Sequence, residues 1–416
     1  MSGFTFSAGN AAKLLSVPLY ALGALATLVV QRRDTLWVFG SGSGVGEGSL
    51  ELLHTVTTEN PQVRAVWLAR NTTDLDRARQ LRIPAVLKDS WRGFRLTLRA
   101  RVLVVTHGFG DVNRFAGRGG FIVQLWHGIP LKRIHLDAPV TFSAPRPLRR
   151  PLRALYHRAA QGIDLLPAAS ELAAERLRTA FGLPADRVVV TGDPRDDVLT
   201  RGTDEERRAR ADTLLHAKLG LDGSPRVVLF APTWRDGAVD PSVPSAADWQ
   251  LIDEWLQRTD SVLVVRPHPH SVGDYAAGTA VSRRILLLDA ARQNDITPVL
   301  PAVDVLITDY SSIAYDFALT GRPIFFLAPD VIEYSASRGL YEPYEAFSGG
   351  RETRSWAELV SALGRTETDP QFRAELLAHT ERLRSSHHAY TDGRNTERVY
   401  AEILDRLAGD GSERRA

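Results

Sequence analysis

Cysteine is absent from this chain of 416 residues, and neither sign of charge is in excess. Without cysteine the protein can form no disulfide, no thiolate nucleophile and no cysteine-ligated zinc site. The 51 Lys and Arg residues balance the 49 Asp and Glu residues to a formal charge of +2, so the overall charge predicts no attraction to nucleic acid. With 44% hydrophobic residues the chain is typical of a globular protein, and its length predicts two domains with separate cores.

Long apolar runs are also scarce, and the main one is residues 11–30, AAKLLSVPLYALGALATLVV, which has Lys13 as its only charge. About 20 such residues could just span a bilayer, but a proline and alanine-rich turns favour a helix lying in the inner leaflet, with Arg32 and Arg33 at the lipid phosphates. No cleavage site follows, so a removed signal peptide is not expected. We assign residues 1–34 to an N-terminal membrane-associating helix; the alternative is a helix packed on the first domain.

From Thr35 onward, predicted strands alternate with predicted helices. This alternation predicts an α/β fold with two Rossmann-like doubly wound domains, residues 35–205 and 222–385, that face each other across a cleft. A C-terminal helical segment, residues 386–416, completes the chain. The glycine-rich loop after the first strand fits neither the dinucleotide-binding motif nor a P-loop.

The most informative stretch is residues 302–330, which reads as strand, hydroxyl-rich turn, helix and strand. Thr308, Ser311 and Ser312 lie in the turn, and either serine could cap the helix that begins near Ile313. Free backbone N–H groups at a helix start attract anions, so the segment predicts a phosphate or diphosphate site. The alternative is a well-capped helix without a ligand.

Three further loops follow predicted strands and carry reactive side chains. QLWHGIP presents His127 for proton transfer near neutral pH. RPHPH holds Arg266 and His268 between prolines, and APTWRD adds Thr233 and Arg235. Together with the hydroxyl-rich turn, these loops predict a cleft that binds phosphate and moves a proton.

Metal-binding patterns are weak. Asp74-Leu75-Asp76 matches the DxD pattern of some sugar transferases, but it lies at a predicted helix start, where acidic residues favour the helix dipole. The pairs His268 and His270, and His387 and His388, have no accompanying carboxylate motif. We therefore expect a metal-independent protein without a cofactor.

The ordered segments LWVFG, QLWHGIPLKRI, LFAPTWRD, RPHP and DVLITDYSSIAYDFALTGRPIFF resemble the CDP-glycerol glycerophosphotransferase family, over about residues 35–404. The resemblance implies a GT-B type fold that acts at the cytoplasmic face of the cell membrane in teichoic acid synthesis. It implies transfer of a polyol phosphate from CDP-glycerol or CDP-ribitol to an undecaprenyl-diphosphate-linked saccharide, with release of CMP.

By the same resemblance, His127 is the catalytic histidine, and His268 is a second essential histidine. Thr308, Asp309, Ser311, Ser312 and Asp316 form the nucleotide-diphosphate loop. Two positions depart from the family pattern: Ile129 replaces a usual threonine and Asp193 a usual aromatic residue, which leaves the acceptor open.

A basic segment, residues 145–158, is expected to meet the acceptor or the membrane, although it could simply be an exposed helix. With one lysine upstream, the residues assigned to this role are Lys132, Arg146, Arg149, Arg150 and Arg153. Two other functions stay open, a GT-B glycosyltransferase or sugar-nucleotide epimerase, and a non-catalytic membrane- or polyanion-binding protein. The sequence also leaves open the choice of glycerol or ribitol, primase or polymerase, and the oligomeric state.

Overall fold

The computed structural model describes residues 23, 25–27, 29–142, 146–221, 223–235 and 238–413. Contacts divide the chain into two units. Unit 1 comprises Met1–His127, Ile134–Asp197 and Arg394–Ala416, and unit 2 comprises Gly128–Arg133 and Val198–Gly393. The units differ from the expected division in two respects. Residues 128–133 and 198–205 join unit 2 rather than the first domain, and the expected C-terminal segment is divided, with residues 386–393 in unit 2 and residues 394–416 in unit 1.

The expected membrane helix, residues 11–30, lies almost wholly outside the described residues. Within the described ranges, no helix combines the length and the apolar character needed to cross a membrane. The expectation that Arg32 reaches lipid phosphates is wrong, because its guanidinium donates to the backbone carbonyls of Thr97, at 3.0 Å, and Arg118, at 2.6 Å. Burial among these groups lowers the pKa of Arg32 to about 10.

Unit 1 is built on a five-stranded parallel sheet in the order β3-β2-β1-β4-β5, as the alternating pattern predicted. Helices cover both of its faces, so the inner parts of its strands are apolar, whereas β1 and β2 begin with the exposed Arg33 and Arg64. Two short parallel strands, β6 and β7, follow, and a bridge from Val123 to Leu165 connects them to β5. The elements are β1 Arg33–Phe39, α1 Glu47–Glu59, β2 Arg64–Ala69, α2 Thr72–Gln80, β3 Ala85–Leu87, α3 Trp91–Arg99, β4 Ala100–Val105, β5 Phe121–Gln124, α4 Arg146–Ala160, β6 Leu166–Ala168, α5 Glu171–Phe181 and β7 Val188–Val190.

Unit 2 repeats this topology, with a parallel sheet in the order β10-β9-β8-β11-β12. Its core gathers three buried tryptophans, Trp249, Trp255 and Trp356, on one side of the sheet. The elements are α6 Asp197–Thr200, α7 Asp204–Leu219, β8 Arg226–Ala231, α8 Ala246–Arg258, β9 Ser261–Val265, α9 Ala277–Val281, β10 Ile285–Leu287, β11 Val305–Thr308, α10 Ile313–Ala318, β12 Ile324–Phe326, α11 Val331–Arg338, α12 Tyr344–Ser348, α13 Trp356–Thr368 and α14 Pro370–His387.

The last helix, α15 (Asn395–Glu413), returns to unit 1. Its buried residues Val399, Tyr400 and Ile403 join the core around Trp37. At its start, the carboxylate of Asp197 accepts hydrogen bonds from the backbone N–H groups of Asn395 and Thr396, both at 2.8 Å. The end of the chain therefore completes the core of the unit in which the chain began.

Candidate active site

In both sheets the strand order reverses between the two central strands, β1 with β4 and β8 with β11. Ligands of open α/β sheets bind outside the carboxyl ends of the strands at this point. In unit 1, the loops that follow β1, β4 and β5 carry Ser41, His107 and His127. In unit 2, the loops that follow β8, β9 and β11 carry Thr233, His268 and Ser311.

A strained turn presents His127 in unit 1. Trp126 has a φ of 63°, a left-handed conformation that is unfavourable for a bulky residue. Its ring packs edge-on against Phe181, with ring centroids 5.2 Å apart, which holds the turn in place. Gly128 follows with a φ of 112°, so the chain needs glycine there.

The His127 ring is oriented as a base. Its Nδ1 lies 3.4 Å from the carbonyl oxygen of Thr106, which can only accept, so Nδ1 carries the proton and Nε2 keeps a lone pair. Burial, and then the neighbouring His107, lower the pKa of His127 to about 3, although the charge of Glu47 acts in the opposite direction. The ring is therefore neutral at pH 7 and can accept a proton at Nε2.

His107 is a site residue that the sequence interpretation missed. Its ring stacks on that of His127, with centroids 4.2 Å apart and an interplanar angle of 4°. The Nδ1 atom of His107 accepts from the backbone N–H of Gly42 at 3.2 Å, which leaves Nε2 as its protonated nitrogen. A signal was present, because His107 follows a predicted strand just as His127 does.

Glu47 is the second residue that was missed. It begins α1 with a φ of 57°, and its carboxylate accepts a hydrogen bond from Ser41 Oγ at 3.0 Å. Burial has the largest single effect and would raise the pKa of Glu47, but the charges of His107 and Arg195, with smaller contributions from Ser43 and His127, together lower it. The carboxylate is therefore ionised beside the two histidines. It lies in the glycine-rich loop that matched no nucleotide motif.

In unit 2, Asp309 and Arg235 bond to each other. The Asp309 carboxylate accepts from the backbone N–H of Thr233 at 2.9 Å and from the Arg235 guanidinium at 3.2 Å. Arg235 also donates to Asp330 at 2.8 Å, and these carboxylates raise its pKa despite its burial. Both residues were predicted to bind the diphosphate directly. In the structure they tie the loops after β8 and β11 together.

The hydroxyl groups of the unit 2 loops differ in how they are engaged. Thr308 Oγ1 donates to the carbonyl of Ala231 at 2.7 Å, whereas Thr233 Oγ1 is buried with no hydrogen-bond partner among the described residues. Ser311 Oγ accepts from the N–H of Ile313 at 3.4 Å, a long contact. Ser311 and Ser312 are half-buried and Thr233 Oγ1 is unpaired, so these three hydroxyls are the ones a ligand could engage.

The expected capping of α10 is only partly present. Ser312 occupies the N-cap position but makes no capping hydrogen bond with its side chain. The helix has six residues, Ile313–Ala318, with Asp316 buried inside it, so its dipole is small. An anion at this turn would depend on hydroxyl and backbone N–H groups more than on the helix dipole.

His268 is oriented as a donor, unlike His127. Its Nδ1 accepts from the backbone N–H of His270 at 3.1 Å, so Nε2 carries the proton. The ring stacks on Trp234, with centroids 5.7 Å apart, and burial lowers the pKa of His268 to about 4. Arg266 is partly engaged, because its guanidinium donates to the carbonyls of Leu288 at 3.1 Å and Asn294 at 2.9 Å.

The basic residues assigned to the acceptor or membrane fall into two groups. Lys132 belongs to unit 2, where its Nζ lies 5.7 Å from the centre of the Tyr334 ring. Arg149, Arg150 and Arg153 are exposed on α4 of unit 1, and the Arg146 side chain lies outside the described part. Lys132 therefore belongs to unit 2, whereas the arginines belong to unit 1.

Asp74, the first acid of the DxD pattern, forms an ion pair with Arg70 at 2.8 Å and accepts from Arg70 N–H. Its role in α2 is therefore structural. Across the described ranges, no group of three or more His, Asp or Glu side chains is arranged to hold a metal ion.

Comparison with known families identifies the chain's relatives. The family model for CDP-Glycerol:Poly(glycerophosphate) glycerophosphotransferase matches residues 24–405. The chain belongs to this glycerophosphotransferase family. The teichoic acid glycerol-phosphate transferase of Staphylococcus aureus is 25% identical over 316 residues, which cover 75% of this chain and 78% of that relative.

Several relatives of this chain are longer proteins. The ribitol-phosphate polymerase TarK of Staphylococcus aureus is 28% identical over 229 residues, which are 55% of this chain and 42% of TarK. Across four polymerase relatives, the matched region spans 30% to 62% of their length.

Solved structures share the fold of this chain. The wall teichoic acid polymerase TagF has a TM-score of 0.76 at 20% identity, with 96% of each chain covered. The UDP-GlcNAc 2-epimerase of Neisseria meningitidis has a TM-score of 0.53 at 13% identity, covering 90% of this chain and all of that one. The TagF-like fold agrees with the predicted GT-B type.

Proposed function

We propose that this protein transfers a polyol phosphate from CDP-glycerol or CDP-ribitol to a hydroxyl group of a lipid-linked acceptor and releases CMP. The observation that carries the proposal is the orientation of His127, whose Nδ1 proton faces the Thr106 carbonyl and leaves Nε2 free as a base. Membership of the family supports the donor class, since its relatives are named as glycerol-phosphate and ribitol-phosphate transferases or polymerases. TagF has also been solved after soaking with CDPG.

In the proposed reaction, the acceptor hydroxyl oxygen attacks the phosphorus that carries the polyol, while His127 Nε2 takes the hydroxyl proton. A new phosphorus–oxygen bond forms as the bond between the two phosphates breaks, and the electron pair of the broken bond leaves with CMP. The ionised carboxylate of Glu47 stabilises the charged His127 ring that results. The proton then passes to solvent.

The unit 2 loops would bind the donor and stabilise the charge that develops on CMP. His268 Nε2–H and the hydroxyls of Ser311 and Ser312 are suited to donate to phosphate oxygens, and Lys132 adds a positive charge. The unpaired Thr233 hydroxyl is a further donor. Four of the remaining predicted residues would hold the loops in shape through hydrogen bonds inside the protein; these are Arg235, Arg266, Thr308 and Asp309. Asp316 is buried within α10.

We propose an undecaprenyl-diphosphate-linked saccharide as the acceptor, met at the cytoplasmic face of the cell membrane. The exposed arginines of α4, Arg149, Arg150 and Arg153, support this location. Each would contribute about 1 kcal/mol beside anionic lipid.

The test is to incubate the protein with CDP-glycerol, and separately with CDP-ribitol, together with a lipid-linked disaccharide. We expect one CMP for each polyol phosphate added to the lipid, measured by nucleotide chromatography and by the mass of the lipid product. Release of a nucleoside diphosphate with sugar transfer would instead indicate a glycosyltransferase. Membrane binding without any turnover of either donor would indicate a non-catalytic protein.

A further inference from the structure

A basic pocket lies in unit 1 at the amino ends of the strands, away from His127. The cavity has a volume of about 460 Å³. Its lining consists of two leucines, Leu36 and Leu96, and of one tryptophan and five arginines: Arg33, Arg64, Trp91, Arg92, Arg95 and Arg99. We call these six residues the basic pocket. Arg33 and Arg64 begin β1 and β2, and Arg99 directly precedes β4, so all three mark the edge of the sheet opposite the reactive loops.

Among the described residues, no carboxylate neutralises the five arginines of the basic pocket. None lines the cavity, and none forms an ion pair with any of the five. The Nε atom of Arg99 is buried and has no hydrogen-bond partner in the same part of the chain. Elsewhere in unit 1 arginines are paired, for example Arg70 with Asp74 at 2.8 Å and Arg101 with Asp34 at 3.7 Å. Five unpaired guanidiniums around one cavity repel each other, and a bound anion would relieve that repulsion.

Helix α3 holds its share of the pocket rigidly. Arg92, Arg95 and Arg99 recur at spacings of three and four, so they lie on one face of the helix. On the opposite face, Gly93 packs so closely on the β3 end that an added Cβ would lie 2.3 Å from the carbonyl oxygen of Leu87. The helix therefore cannot shift its arginines without losing this contact.

An exposed aromatic residue completes the pocket. The Trp91 side chain is 72% exposed and stacks on Phe94, with ring centroids 5.3 Å apart at 13°. An exposed aromatic face binds the C–H surface of a sugar or polyol, while guanidiniums bind phosphate in a bidentate manner. A poly(polyol phosphate) chain alternates phosphate groups with polyol groups, so both contacts of the pocket have a matching group in its repeat.

We propose that the basic pocket binds the phosphate and polyol groups of a growing poly(polyol phosphate) chain, at a distance from the reacting hydroxyl. This inference rests on the proposed function, because that reaction supplies the chain. Strand β1 has seven residues and separates the pocket from the Ser41 loop by about 20 Å, at about 3.3 Å per residue. Only an acceptor long enough to cover that distance engages both places, so the pocket favours long acceptors over short ones.

The test compares a long and a short acceptor on the full-length protein. In the triple variant Arg92→Gln/Arg95→Gln/Arg99→Gln, binding of a soluble oligo(glycerol phosphate) should weaken by about tenfold or more, with a shallower dependence on salt. The KM for a long oligomeric acceptor should rise, whereas KM and kcat for a single-unit acceptor should stay unchanged. Trp91→Ala should weaken oligomer binding by about fivefold, because only the polyol contact is lost.

The control removes the same number of charges from α2 and the residues beside it, where Arg77, Arg79 and Arg82 are exposed. Their triple replacement by glutamine should leave oligomer binding unchanged. If the α3 variant unfolds in a melting experiment, Arg33→Glu/Arg64→Glu tests the same pocket from the strand side.

Three results would overturn the proposal. One is equal KM values for the long acceptor in wild type and variants. Another is an equal loss in the α2 control, which would mean general attraction to polyanions. The third is a loss of binding to anionic phosphatidylglycerol vesicles but not to the oligomer, which would make the pocket a membrane contact. Because donor turnover on the single-unit acceptor is measured in parallel, failure of the proposed reaction remains distinguishable from failure of the pocket.

Discussion

Unit 1 and unit 2 have the same strand order, but the loops at their strand-order reversals present different groups. In unit 1 the loops at the reversal carry the stacked imidazoles of His107 and His127, with the ionised Glu47 beside them. In unit 2 it carries unpaired or half-buried hydroxyls, the Nε2–H of His268 and Lys132. One set is oriented to accept a proton and the other to donate to an anion. The two units therefore differ in the chemistry of their loops and not in their sheets.

The largest expected effect comes from removing the base of unit 1. His127→Ala should lower turnover by about 10²- to 10⁴-fold, the usual contribution of a positioned general base. Binding of the CDP-polyol donor should persist, because the unit 2 loops are unchanged. Turnover by CMP release and donor affinity by calorimetry check the two parts. The control is His54→Ala, because His54 is an exposed histidine on α1. Near-normal turnover in His127→Ala would show that His127 is not the general base.

In unit 2, the double variant Ser311→Ala/Ser312→Ala should impair donor binding and leave the proposed base, His127, intact. Loss of two hydroxyl donors to a charged group should weaken donor binding by about 10- to 100-fold. Calorimetry with the CDP-polyol measures this directly, and Ser385→Ala, on the exposed face of α14, should bind normally. If donor affinity does not change, the donor does not bind at this turn.

A smaller effect is expected from Glu47→Gln, which removes charge but keeps shape. The carboxylate raises the proton affinity of His127, so its loss should make His127 a weaker base and lower kcat by about tenfold, with little change in KM for the donor. Glu59→Gln, at the exposed end of the same helix, serves as the control. A variant that loses donor affinity and not kcat would assign Glu47 to binding.

The pH profile should differ from that of an ordinary histidine enzyme. Burial lowers the pKa of His127 to about 3 and that of His268 to about 4. Since a lowered pKa keeps the neutral base form populated through neutrality, activity is lost only as pH falls towards these values. We expect kcat/KM to stay flat between pH 8 and about 5.5, whereas an unshifted histidine would titrate near about 6.5. If kcat/KM instead falls near about pH 6.5, His127 is not desolvated in the working enzyme.

No effect is expected from excess EDTA, because side chains of unit 2 are assigned the charge stabilisation. CMP release with and without the chelator measures this. If activity is lost in EDTA and restored by Mg²⁺ or Mn²⁺, a metal ion and not the assigned side chains stabilises the charge on CMP.

Local pattern predicted much of the fold and part of the site. The apolar runs of β1, β4, β8 and β11 were recognisable, and His127 and His268 stood out because each follows such a run. The pairing of His107 with His127, and of Glu47 with both, could not be predicted in this way. It depends on β1 and β4 being neighbours, which is set by packing of the whole sheet.

The unit 2 network was unpredictable for the same reason. Arg235, Asp309 and Asp330 lie on three loops, and their ion pairs at 2.8 and 3.2 Å join residues separated by 74 to 95 positions. From the sequence, Arg235 and Asp309 were predicted to bind the nucleotide diphosphate, and Asp330 had no predicted role. Likewise, no composition change marks residues 128–133, where the chain enters unit 2 and then returns.

The return of α15 to unit 1 affects how the protein is made. Unit 1 comprises residues before 198 and after 393, so nearly all of unit 2 is synthesised before helix α15 of unit 1. During synthesis, the surface around Trp37 that α15 later covers stays open to water and to other nascent chains. Unit 2 can therefore fold before unit 1 is complete, and a chain terminated before residue 395 would lack the helix that covers the core around Trp37.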